Sequence, residues 1–101
     1  MPDGTLHEVL QAKVAKYIEI EEKALSTIRI AVPENSLLME FASSALTMIR
    51  AYFSDAIHFK EKGDLVNSFA ALNYSYGWID SLVRLGVLDG KGDDRLFTLY
   101  R

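Results

Sequence analysis

The chain of 101 residues has no cysteine, two prolines, six glycines and a single tryptophan. Without cysteine there can be no disulfide, no thiolate metal site and no cysteine nucleophile, and a reducing, cytoplasmic setting is the expectation that follows. No apolar run approaches the ~20 residues of a membrane-spanning helix. The opening Met-Pro-Asp-Gly-Thr lacks the basic and then apolar stretch of a signal peptide. An excess of positive charge is also missing. Eleven Lys and Arg stand against fourteen Asp and Glu, a net charge of -3, which argues against nucleic acid or an anionic membrane as partner. What remains is ordinary globular composition, half apolar and a quarter charged, and a length that fits one domain over residues 1–101.

Periodicity divides the chain into three helices, expected over about residues 5–31, 36–62 and 64–85. The first would start at Thr5, with Glu8 placed for a capping box. Its apolar stripe runs Leu6, Leu10, Val14, Tyr17, Glu21, Ala24, Leu25, Ile28 and Val32, and Pro33 ends it. The β-branched residues Ile28, Ile30 and Val32 allow a short extended piece there as the alternative. Ser36 or Asn35 caps the second helix, whose core side is Leu38, Ala42, Ala45, Ile49, Tyr52, Ala56 and Phe59. Gly63 and Asp64 form a turn short enough to make helices two and three an antiparallel hairpin. The fold class expected is therefore all-α, an antiparallel three-helix bundle. A Gly-rich loop over 89–95 leads to an apolar tail, 96–101, expected to pack on the bundle.

The third helix carries two apolar stripes instead of one. Leu65, Phe69, Leu72, Tyr76, Ile79 and Val83 step 4, 3, 4, 3, 4, while Tyr74, Trp78, Leu82 and Leu85, with Ala71 behind them, lie on roughly the opposite side. This second arc is a candidate interface: for the tail, for a homodimer or other homo-oligomer, for an unknown protein partner, or for a ligand. Stacking on nucleic-acid bases would call for a basic groove that this acidic chain lacks. Along one shoulder, Asn73, Asp80 and Arg84 make a polar strip in which Asp80 and Arg84 form a favourable i,i+4 pair. With Glu21 from the first helix they are either a ligand site or a network that sets helix register. Gly77, in mid-helix at a cost of about 1 kcal/mol against Ala, is expected to admit close approach of another backbone or ring.

Nothing in these residues reads as catalytic. His7 and His58 have no second ligand at metal spacing, and Glu19, Glu21 and Glu22 read as a solvated face. No cofactor or metal is expected, and an enzyme ranks last. A non-enzymatic interaction or self-assembly module comes first, ahead of a small-ligand-binding bundle and an RNA-associated helical domain.

Residues 52–88 carry a more specific signal. An aromatic residue precedes Asp55-Ala56; Lys62-Gly63-Asp64 follows, then Ala71-Leu72-Asn73-Tyr74, Gly77-Trp78-Ile79-Asp80 and Val83-Arg84-Leu85-Gly86. In this the chain resembles the archaeal family of unknown function DUF357, and Glu21-Glu22-Lys23-Ala24-Leu25 looks like that family's first helix. The resemblance covers most of residues 17–88. It implies a helical bundle and an archaeal source, and it implies no activity.

Overall fold

The computed structural model describes residues 2–90, with side chains from Thr5 onward. It contains α1 (Pro2–Thr27), β1 (Arg29–Ile30), α2 (Leu37–Glu61), α3 (Leu65–Arg84) and β2 (Leu88–Asp89). The three-helix architecture is as expected, elongated to 54 × 27 × 17 Å. The apolar tail expected to pack on it lies outside the described residues.

The hairpin of α2 and α3 is built by local signals. Ser36 caps α2, accepting from Met39 N–H at 3.0 Å, and Asp64 caps α3, accepting from Asn67 N–H at 3.2 Å. Between them Gly63 takes φ +81°, a left-handed turn that a side chain would strain.

Both ends of α1 differ from expectation. The helix already includes Asp3 and Gly4, so Thr5 is inside it and not its cap. At the other end it stops at Thr27, four residues short of 31, and the extended alternative is the one realised. Arg29 and Ile30 pair antiparallel with Asp89 and Leu88, and Ala31 N–H donates to Val87 O at 2.8 Å. Helical phase carried on to Val32, but a helix there would forgo this pairing, in which Leu88 is buried. Asp89 accordingly belongs to a strand and not to the glycine-rich loop. Because α1 and α3 run in the same direction, their C-terminal ends meet, and the ribbon ties them together.

The core is rich in small residues. Ala24, Ala42, Ala45 and Ala56 are completely or almost completely buried among Val14, Ile28, Ile49, Leu72, Ile79 and Leu82. Small side chains at the contacts let helices approach closely, and two clusters result, one at each end of the bundle. Val14 packs in one cluster with Leu65, the first residue of α3, and Leu10 packs against it, so only the part of α1 before Leu10 runs past the hairpin. Leu6 is therefore 67% exposed although it continues the core stripe. Among the described residues, no helix is long and apolar enough to cross a membrane.

Candidate functional site

The buried face of α3 holds Leu65, Leu72, Ile79 and Val83 of the first stripe, as a bundle core requires, and reaches across to Ala71 and Leu82 on the side of the second. Phe69, from the first stripe, stacks on Tyr17 of α1, with ring centroids 5.4 Å apart. Trp78 and Tyr74, from the second, meet Phe41 and Tyr52 of α2 at 6.5 and 4.7 Å. Helix α3 is thus a wedge between α1 and α2, and in the seam between its stripes lie Ser68 and Ser75, completely buried like Ile79 of the first stripe. The seam was hidden because serine counts as polar in any apolar pattern. The signal was there in the 4, 3, 4 spacing of positions 68, 72, 75 and 79, with serines where close approach needs small side chains.

Each buried hydroxyl has a partner on a neighbouring helix, as a desolvated O–H requires. Ser68 Oγ donates to the Ala56 carbonyl of α2 at 2.7 Å. Ser75 Oγ donates to Oε2 of Glu21 on α1. Glu21 is 1% exposed, so it does not belong to a solvated face with Glu19 and Glu22, and among the described residues Ser75 supplies its only hydrogen bond. Burial pushes its pKa from 4.5 up to about 7, because a carboxylate loses hydration there, and the Ser75 hydroxyl offsets part of that rise.

Beside this pair lies a pocket of about 260 Å³, lined by Tyr17, Ile20, Glu21, Leu72, Asn73 and Tyr76. The phenol of Tyr76 is held above its ordinary pKa, first by burial and then by the negative charges of Asp80 and Glu21. It stays a protonated donor and acceptor throughout the physiological range.

The polar strip does not converge as one unit. Glu21 and Asn73 share the pocket, whereas Arg84 Nε bonds Asp80 Oδ2 at 3.1 Å on the shoulder of α3, outside the pocket wall. The reason is helical geometry: residues 80 and 84 lie two and three turns beyond Asn73, past the level of Glu21. Sequence reasoning found Glu21 and Asn73 but missed Ser75, Tyr17 and Tyr76 as their neighbours.

The candidate interface residues also divide. Leu82 is 1% exposed and belongs to the core, so it is withdrawn from any surface. Trp78 is half-buried against that core and Phe41. Tyr74 and Leu85 remain open, at 49% and 73%, and Phe41 and Tyr52 are exposed beside them. A shallow groove of about 380 Å³ runs along Asn73, Tyr74, Gly77, Trp78 and Ser81. A Cβ placed on Gly77 would meet nothing within 4 Å, so the close approach expected there is not made by the described part of this chain. Arg50 and His58 lie on the polar side of α2, where an Arg50 N–H donates to the Leu25 carbonyl, near the end of α1, at 3.5 Å. Among the described residues, no group of three metal-binding side chains comes together.

No curated protein matches the chain, and no solved structure does. One family model does match, over residues 16–88, a span that takes in part of α1, all of β1, α2 and α3, and β2 as far as Leu88. The chain therefore belongs to the family described as a protein of unknown function, DUF357.

Proposed function

We propose that this protein is a non-enzymatic association module that pairs with a second copy of itself through the outer face of the α2–α3 hairpin. The observation that carries the reading is Gly77. A glycine inside a helix is disfavoured by about 1 kcal/mol relative to Ala, and the described fold makes no use of its missing side chain. Around it stand exposed aromatic and aliphatic groups, Phe41, Tyr52, Tyr74 and Leu85, a composition that enriches at interfaces. A two-fold contact places one patch against itself, so the patch must hold both projections and a hollow. Tyr74 and Phe41 are projections, and the groove at Gly77 and Ser81 is the hollow. Apposing two copies there would bring rings and small residues together; the acid–base pair of Asp80 and Arg84 stays on the shoulder beside them.

Trp78→Ala is a poor probe, because Trp78 also packs within its own chain. Tyr74→Lys and Leu85→Lys change exposed positions; Tyr74 gives up its ring contact with Tyr52 but lies outside the buried core, so the fold should stay intact. Light scattering should give a dimer mass for the wild-type chain and a monomer mass for the double variant, with melting temperatures within a few degrees of each other. A monomeric wild-type chain would overturn self-pairing; if the double variant then also melted far lower, the face would be covered from within its own chain.

A further inference from the structure

We infer that the pocket between α1 and α3 is a binding site for a small primary alkylammonium ion, held by Glu21 and flanked by Tyr17 and Tyr76. This goes beyond pairing through the α2–α3 face; the residue common to both is Asn73, which lines the pocket and the groove alike. The space comes first. A volume of about 260 Å³ exceeds the ~150 Å³ that suffices for benzene, yet is below the ~300–1,000 Å³ of drug-sized clefts. It suits a ligand of a few non-hydrogen atoms.

The walls set the ligand class. Among the described residues no Lys or Arg lines the pocket, and the charges acting on Tyr76 in its wall, Asp80 and Glu21, are both acidic. An anion would meet like charge there. Tyr17 and Tyr76 bring aromatic rings whose faces attract cations, and Ile20 and Leu72 supply apolar surface for a short alkyl stem. Glu21 receives one hydrogen bond on Oε2, from Ser75, and among the described residues none on Oε1. An ammonium group donates three hydrogen bonds, so it can bond Oε1 and reach the Asn73 amide oxygen or a phenol oxygen as well. A pair serving only helix register would have no need of the open volume and the two rings beside it.

Binding of a cation requires Glu21 in its charged form, which links affinity to pH. The groups around the carboxyl are Ser75 and Tyr76 from α3 and Tyr17 from α1; Tyr76 stays neutral, and the negative charges of Asp80 and Glu21 both act on it. Arg50, the basic side chain of α2 that reaches α1, is spent on the Leu25 carbonyl one turn away. With half-ionisation at about 7, the charged fraction rises roughly tenfold between pH 6 and pH 8.

The test titrates the full chain with n-butylammonium chloride, using 1-butanol and sodium butyrate as neutral and anionic probes of the same length, and follows protein resonances by NMR. Saturable shifts should appear at Tyr17, Glu21, Leu72, Asn73 and Tyr76 with n-butylammonium alone, at a Kd on the order of 1 mM. Affinity should be about tenfold higher at pH 8 than at pH 6. Glu21→Gln keeps the shape and removes the charge, and it should weaken binding at least tenfold at pH 8 while the spectrum elsewhere stays folded. Equal saturation by butanol, undiminished binding by Glu21→Gln, or no saturation up to about 0.1 M would each overturn the site.

Discussion

The carboxyl of Glu21 is the only buried acid among the described residues, and its burial ties the stability of the fold to pH. Its folded-state pKa of about 7 lies above the ordinary 4.5, so the folded chain keeps a proton that the unfolded chain releases between those values. Its contribution is fully present below about pH 4.5 and is lost as pH rises through 7, a difference on the order of 3 kcal/mol. Glu21→Gln should remove that slope. Denaturant midpoints at pH 5 and pH 8 should diverge less in the variant than in the wild type, with the variant the more stable of the two at pH 8. Ser75→Ala works in the opposite sense: without the hydroxyl that favours the charged form, Glu21 titrates higher still, so stability goes on falling to higher pH and the midpoints at pH 5 and pH 8 diverge further. An acid on a core stripe was visible in the sequence. That its partner would be a serine was not, because a buried hydroxyl leaves no mark in a hydrophobic pattern, and only the distance from Ser75 to Glu21 assigns it.

Among the elements, α2 and α3 were legible almost to the residue, since their boundaries rest on local chemistry. Ser36, Gly63 and Asp64 cap and turn the chain by bonds to neighbours three residues away or by a positive φ. Ser36→Ala should therefore cost about 1 kcal/mol, seen as a drop in melting temperature of roughly 4–8 °C. Gly77→Ala tests the other side of α3. Its added methyl meets open space within the chain, so the variant should unfold at higher denaturant under dilute conditions, by about 1 kcal/mol. The same methyl should weaken pairing at high concentration. An increase in both stability and association would show that the groove is not a contact. The end of α1 was misjudged because helical periodicity is a local property and the ribbon is not. Arg29 and Ile30 leave the helix for Asp89 and Leu88, some sixty positions away in the chain.

At the scale of the molecule, the ribbon closes the end of the bundle where α1 and α3 finish side by side. Ala31 N–H and the Val87 carbonyl make the bond next to it. Ala31→Pro removes that donor without touching the helical core, and it should lower stability by about 1–2 kcal/mol. Hydrogen exchange should quicken first at Ile30 and Leu88 and leave the centres of α2 and α3 protected. A uniform increase over all three helices would show instead that the ribbon and the bundle open together. The overhang of α1 and the hairpin leave apolar groups open in the described part, at Leu6 and Val9, at Leu37 and Leu38 (the latter expected in the core of α2), at Val66, and at Tyr74 with Leu85. Of these only the hairpin face combines projections with a hollow.

What the sequence determined by itself is the set of helices, the hairpin turn, the acid at position 21 and the absence of cysteine chemistry, because caps, periods and composition act over a few residues. The tertiary structure alone decided which way α3 faces. Two apolar stripes about 140° apart could be a core and an interface, or two flanks of one wedge. Packing chose the wedge: Tyr17 takes one flank and Phe41 and Tyr52 the other, so Ser68 and Ser75 are carried into the seam. That choice turned Leu82 inward, left Trp78 half-buried and Tyr74 and Leu85 outside, and set Glu21 beside a pocket that no spacing along the chain describes.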